Sequence, residues 1–265
     1  MAITPVDLSV TNITATSVRL GWVNALQALI SSLFGAGEQG AIYIPKPIVN
    51  GAQALFQDSA GTVPVTADGD PVGRMLDQSG NGNHAIQTVS GSRPVYRTDG
   101  VLHWLEFNGV NNFLIVQNNL PLSGAFFAGM AYQLVDETQT VEQGIFSQYY
   151  GGNGRYTIRF SPSGLPGKAD IFLSGESSTP RIDTEKNGSA IVTRDGSLHS
   201  ISIGAEQSDL TTGVSIVDTP LLIGTSTGDA GFLKGNIYSA VFCYRAIAAG
   251  EKASLTNYLD STRPS

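Results

Sequence analysis

Apolar and polar positions alternate along most of this chain. Short stretches of this kind recur from Gly40 onward, at residues 40–44, 104–107, 113–116, 125–134, 144–148, 156–160, 169–173, 189–193, 199–203, 220–223 and 235–244. A period of two sends successive side chains to opposite faces of a sheet. Turn pairs such as Asn153-Gly154, Asn187-Gly188 and Asp195-Gly196 separate several of these stretches. Many short strands with tight turns, and no helices alternating with them, predict an all-β antiparallel sandwich or barrel.

Two stretches follow a helical period instead. Leu26, Leu29, Ile30, Leu33 and Phe34 share one helical stripe, with Asn24 as N-cap and Gly35 as stop, which predicts a short N-terminal helix over residues 24–34. Leu255, Tyr258 and Leu259 predict a C-terminal helix over residues 248–259. Ahead of the first helix, Val6, Leu8 and Val10, then Val18, Leu20 and Trp22, alternate and predict two short strands within residues 4–23. Two strands bury no core alone. Residues 1–40 are therefore expected to be an anchor segment ending in a Gly-rich hinge, and residues 41–265 the β domain.

Composition narrows the function. Charged residues make up only 14% of the chain, and there are 31 glycines, as a fold of many strands and tight turns demands. A net charge of −7 and the lack of any Lys/Arg cluster argue against nucleic acid and against anionic membrane surfaces. No apolar run is long enough to span a bilayer. No signal peptide is apparent at the N-terminus. The single cysteine, Cys243, lies in an apolar strand-like run and reads as a buried, inert thiol.

Three stretches resemble the concanavalin-A-like lectin/glucanase superfamily, and within it the laminin-G-like group. The first is Leu76 to Ala85, with Asp77-Gln78-Ser79-Gly80-Asn81-Gly82-Asn83-His84 at its heart. The second is Leu105-Glu106-Phe107-Asn108-Gly109-Val110-Asn111-Asn112-Phe113. The third is the end of the chain: Leu222-Ile223-Gly224, Phe232 to Ile237, Tyr244-Arg245-Ala246-Ile247, and Glu251 to Leu259. The resemblance implies an antiparallel jelly-roll β-sandwich. Thr11 to Val18 with Leu20 and Trp22 resembles the opening of a fibronectin type III domain, over about 20 residues only. Residues 33–40, 54–62 and 73–77 resemble a lead-in of tailed-bacteriophage structural proteins. This implies a virion location, attachment to other virion proteins through the N-terminal segment, and a homo-oligomer, with a trimer favoured by analogy to fibres.

Candidate chemistry is sparse. Glucanases of the superfamily carry Glu-x-Asp-x-Glu on one strand, where alternation places all three carboxylates on one face. The nearest run is Asp183-Thr184-Glu185, which lacks the third and leads into a turn. That absence predicts a protein that is not an enzyme, with no catalytic residues. Gly224-Thr225-Ser226-Thr227-Gly228 matches the nucleophile-elbow pattern but is followed by a strand. Gly35-Ala36-Gly37-Glu38-Gln39-Gly40 matches a dinucleotide fingerprint in the wrong strand–helix order. Asp77, Ser79 and Asn81 match the first half of a calcium loop. Position twelve is Thr88, where a bidentate Glu is required. A self-bonded turn is preferred there, and calcium at Asp77 and Asn81 stays open. No other cofactor is expected. His84, His103 and His199 have no metal-ligand spacing.

The best carbohydrate-binding candidates by composition are Tyr149, Tyr150, Asn153 and Arg155, around a Gly-rich loop. Aromatic faces stack on sugars, and amide and guanidinium groups bond hydroxyls. The alternative is a hairpin loop with packed tyrosines. Three functional readings follow: a phage tail-fibre, tail-tip or spike component binding host-surface carbohydrate; a structural capsid or baseplate decoration subunit without a specific ligand; and, least favoured, a glycan-cleaving enzyme.

Overall fold

The computed structural model describes residues 15–119, 123–136, 140–150, 153–162, 165–173, 180–213 and 218–265. Helix α1 (Ala15–Phe34) leads into β1 (Gly40–Tyr43), β2 (Ile48–Val49), β3 (Ala52–Gln53), β4 (Leu55–Phe56), β5 (Arg74–Met75), β6 (Ala85–Ile86), β7 (Val95–Thr98), β8 (His103–Asn108) and β9 (Leu114–Asn119). There follow β10 (Phe126–Leu134), β11 (Gln143–Tyr150), β12 (Asn153–Phe160), β13 (Lys168–Leu173), β14 (Arg181–Asp183), β15 (Asn187–Asp195), β16 (Leu198–Ile203), β17 (Glu206–Thr211), β18 (Pro220–Ile223), β19 (Lys234–Cys243) and helix α2 (Ala249–Thr262).

Two antiparallel sheets form the sandwich. The first runs β17-β16-β15-β10-β19-β8-β7, and β1 pairs with the end of β19 that β8 leaves free. The second runs β14-β13-β12-β11-β18-β9-β6-β5-β4. The expected all-β antiparallel sandwich with an N-terminal and a C-terminal helix is what the chain forms. At one flank the sheets are bonded edge to edge. The Arg181 N–H of β14 donates to Ser208 Oγ of β17 at 3.1 Å, and the Asp183 N–H donates to Glu206 Oε2 at 3.2 Å.

Along part of its length the first sheet is covered on both faces, which explains the long apolar runs of its central strands. In β10, Phe126, Ala128, Met130, Tyr132 and Leu134 enter the core between the sheets. Phe127 and Ala131 face outward, into a second core with Leu29, Ile30, Leu33 and Phe34 of α1 and Leu255 and Leu259 of α2. Between them sits Gly129, where an added Cβ would lie 2.9 Å from Leu259 Cδ1. The lack of a side chain there lets α2 settle onto the strand.

Two expectations are corrected. Residues 15–23 are not a strand but the first half of α1. Val18, Trp22, Leu26, Leu29 and Leu33 also fall on one helical stripe, and a short apolar run fits either period. Extending an existing helix escapes the cost of nucleating a new element. The other expected strand falls within residues 4–14, outside the described residues. The Gly-rich joint is also tied down at several points. Asn83 Nδ2, Asn81 Nδ2 and Ser79 Oγ donate to the Gly40 carbonyl at 2.8, 3.1 and 3.4 Å. The Tyr244 N–H donates to the Gln39 carbonyl at 3.0 Å. Gly40 has φ of 153°, and a Cβ there would overlap the Phe242 carbonyl oxygen.

Candidate carbohydrate-binding face

The helices leave part of the first sheet's outer face uncovered, and pairing register determines what lies there. Glu106 of β8 pairs with Asn236 of β19, Asn236 pairs with Gln133 of β10, and Gln133 pairs with Asn187 of β15. Paired residues share a face. Four polar side chains therefore line up across four neighbouring strands, while their neighbours Leu105, Phe107, Tyr132, Leu134 and Ile237 point into the core. Strand spacing near 4.8 Å makes this row roughly 14 Å long. All four residues are half-buried.

Beside the row lies an aromatic pair. The β10–β19 ladder shifts between Ala131 and Tyr132, whose partners are Ser239 and Ile237. Tyr238 is the extra residue of this bulge, and its ring joins the outer layer. Bulges re-aim side chains in this way. The Tyr238 ring centroid is 5.6 Å from that of Trp104, with the planes tilted by 41°. Trp104 is half-buried and lies in β8 opposite Arg97.

The polar groups hold one another in place. Asn236 Nδ2 and the Tyr238 hydroxyl both donate to Gln133 Oε1, at 2.7 and 3.2 Å. This fixes the Gln133 amide with its NH2 group turned away from both. Arg97 donates from Nε to Glu106 Oε2 at 2.8 Å and from Nη1 to Asp68 Oδ2 at 3.2 Å. The Glu106 contact is the main reason its guanidinium pKa is raised. Burial is the main cause that raises the Tyr238 phenol. The last turn of α2 borders the face: the Thr262 and Ser239 hydroxyls are 2.8 Å apart, and Arg263 Nη1 donates to the Asn187 carbonyl at 3.4 Å.

The residues singled out from sequence lie elsewhere. Tyr149 and Tyr150 end β11, and Asn153 and Arg155 open β12, with Tyr150 paired to Asn153 across the hairpin. Their side chains, and Gly151 and Gly152, lie outside the described residues. Asp77 forms a self-bonded corner. Its Oδ1 accepts the Ile42 and Ser79 N–H groups at 3.0 and 2.8 Å, and its Oδ2 accepts Ser79 Oγ and the Asn83 N–H at 2.8 and 3.1 Å. Asn81 turns its amide NH2 to the Glu38 and Gly40 carbonyls. These groups serve the fold of the loop, and no cluster of three or more His, Cys, Asp or Glu able to hold a metal occurs among the described residues. Ser226 is buried in a turn between two strands and donates to Glu142 Oε1 at 2.7 Å. Asn187-Gly188 and Asn153-Gly154, expected as turns, begin β15 and β12.

Sequence reasoning passed over the polar row. Glu106 and Asn236 sit inside motifs that read as structural, and Gln133 lies in an apolar run. Each occupies an outward position of the two-residue period, which is the only local signal. That four such positions become neighbours depends on a strand order that brings together residues over 100 apart in sequence.

With the fold and the face described, the chain classes as an antiparallel β-sandwich. No protein-family model matches it, and no curated protein matches it by sequence. Solved structures share its fold. Trypanosoma rangeli sialidase in complex with the inhibitor DANA aligns at 13% identity and a TM-score of 0.53, over 93% of this chain and 39% of the sialidase. An arabinofuranosidase complexed with arabinofuranosyl-α-1,2-xylobiose aligns at 12% identity and a TM-score of 0.61, over 88% of this chain and 65% of the enzyme. A GH54 α-L-arabinofuranosidase soaked with a cyclic sulfate inhibitor aligns at 14% identity and 0.60. At these identities the likeness is one of fold. It corrects the expectation that the chain is not an enzyme, because these three structures of the same fold are glycoside hydrolases. The missing Glu-x-Asp-x-Glu strand therefore does not separate a binding module from an enzyme on this sandwich.

Proposed function

We propose that this chain engages carbohydrate through the outer face of its first sheet, as part of a tailed-phage tail fibre, tail tip or spike that contacts the host surface. The carrying observation is the half-buried Trp104, backed by the buried Tyr238 ring, beside the aligned side chains of Glu106, Asn236 and Gln133. An aromatic ring supplies a face for sugar C–H groups, and planar amides and a carboxylate bond hydroxyls. All five sit on strands, so their positions are fixed before a ligand arrives, which lowers the ordering cost of binding. The virion setting rests on the resemblance of residues 33–40, 54–62 and 73–77 to phage structural proteins. A net charge of −7 leaves uncharged surface polysaccharide as a better partner than nucleic acid.

The test is a glycan array probed with the full chain and with Trp104→Ala, followed by product analysis of every glycan retained. Saturable retention by the wild type, reduced at least tenfold in a folded Trp104→Ala protein, is the expected result. Product analysis then shows whether a retained glycan is also cut. Equal retention by both proteins, or none by the wild type, overturns the proposal.

A further inference from the structure

We infer that the ligand of this face is a neutral, linear oligosaccharide of about three residues, lying across the strands rather than along them. The inference rests on the carbohydrate reading above and adds the ligand's charge, length and direction. Direction and length come from the row itself. Glu106, Asn236, Gln133 and Asn187 each come from a different neighbouring strand, so the hydrogen-bonding groups repeat once per strand along a line perpendicular to the strands. A saccharide chain in that direction covers the three intervals between these four side chains with about three sugar units. A chain running along a strand would leave the row after one unit.

Charge comes from the groups around the row. Arg97 is held by both Glu106 and Asp68, and Asp99 acts on the Tyr238 phenol by charge. Two carboxylates thus engage the one guanidinium beside Trp104. At the Asn187 end, Arg263 is held by Asp260 at 2.9 Å. A sugar carboxylate or sulfate on this face would meet two guanidiniums already engaged by carboxylates. A hydroxyl or acetamido group meets the uncharged amides of Asn236 and Gln133.

The probes are neutral oligosaccharides of one to six units in the glucose, mannose and N-acetylglucosamine series, with trigalacturonate and 3′-sialyllactose as acidic counterparts. Each is titrated calorimetrically into the full chain and into Asn236→Ala and Gln133→Ala. In at least one neutral series, affinity is expected to rise at least tenfold from one unit to three and to level off by four. Both variants should lose most of that rise at an unchanged thermal midpoint, and the acidic probes should bind at least tenfold more weakly. Preference for an acidic probe, or affinity independent of length, overturns this inference and leaves carbohydrate recognition standing. A rise with length that both variants retain moves the ligand off the row and overturns it too. No heat with any probe overturns the inference together with the reading beneath it.

Discussion

Arg159 grips Asp170 through two parallel hydrogen bonds, Nε to Oδ1 at 2.9 Å and Nη2 to Oδ2 at 2.8 Å, across paired positions of β12 and β13. Its remaining amine, Nη1, donates to Glu142 Oε2 at 2.8 Å, and the Phe172 ring lies 4.2 Å from the guanidinium carbon. Asp170 is fully buried, and the Arg159 side chain nearly so. Taking two charges out of water is costly, and only complete pairing offsets it. The bidentate fork supplies that pairing here.

This fork predicts an asymmetry. Asp170→Ala leaves a buried guanidinium with one carboxylate fewer and should cost roughly 3–5 kcal/mol in a denaturant titration. The pair replacement Arg159→Met with Asp170→Leu should cost much less, because the charges that lose a partner, Glu142 and Arg181, are part-exposed rather than fully buried. A single substitution no worse than the double would show that the fork contributes nothing to stability.

The Asp77 corner gives a second prediction. One carboxylate accepts four donors from three residues and fastens β1 through the Ile42 N–H. Asp77→Ala leaves buried N–H groups unmet and should cost about 2–4 kcal/mol by chemical denaturation, a few unpaired donors at roughly 1 kcal/mol or more each. Because the carboxylate is already filled by N–H and O–H groups, millimolar calcium should leave the wild-type melting temperature unchanged. A calcium-dependent rise that Asp77→Ala abolishes would restore the metal reading.

A third prediction concerns the N-terminal helix. Leu33 is fully buried and shares the outer core with Val241, Cys243, Leu255 and Leu259. Leu33→Ala should cost about 2–5 kcal/mol, the usual range for a large core truncation. Removing residues 1–34 uncovers the same surface and should lower the melting temperature sharply. An unchanged melting temperature for this truncation would mean that the helix is a detachable anchor.

The same helix marks how far the sequence is legible. Most of the longer antiparallel strands, such as β8, β10, β13, β15, β16 and β19, coincide with the apolar or alternating stretches from Gly40 onward, whereas β14 does not. The two-residue strands β2 to β6 carry no period long enough to read. β17 is an edge strand, largely exposed, with the sequence Glu-Gln-Ser-Asp-Leu-Thr, so its hydrophobic signal is weak. Residues 15–23 fit both periods, and packing beyond the segment decides between them. The candidate face was illegible for a different reason. Its residues are ordinary outward positions on separate strands, and Gln133 and Asn236 become partners only through the β10–β19 pairing. The Asp77 and Asn108 turns, by contrast, are local. Asn108 Oδ1 accepts the N–H groups of Val110, Asn111 and Asn112 within one short loop, and such self-bonding is written into adjacent residues.

The histidines set the response to acid. His199 is fully buried, its ring centroid lies 5.9 Å from that of Tyr156, and neither ring nitrogen has a hydrogen-bond partner among the described residues. Burial first, and the Arg194 charge second, push its pKa down to about 4. His103, held against the Tyr96 hydroxyl at 2.6 Å, is pushed down to about 4 by burial and by Lys46. In the unfolded chain both titrate near the ordinary value of about 6.5. Between those values the unfolded state binds more protons, so stability is complete above pH 6.5 and falls as the pH drops towards 4. For His199 the loss is at most about 3 kcal/mol, at 1.36 kcal/mol per unit. Carboxylates held below their usual range, such as Glu251 and Asp58, begin to lose their contribution to stability near their ordinary values of 4.5 and 3.8, at the acid end of this window. His199→Phe keeps the ring against Tyr156 and removes the titration without breaking a hydrogen bond. Melting curves from pH 7 to 4.5 should show a smaller decline for this variant than for the wild type, with equal or higher stability at pH 7. Parallel declines would place the acid sensitivity elsewhere.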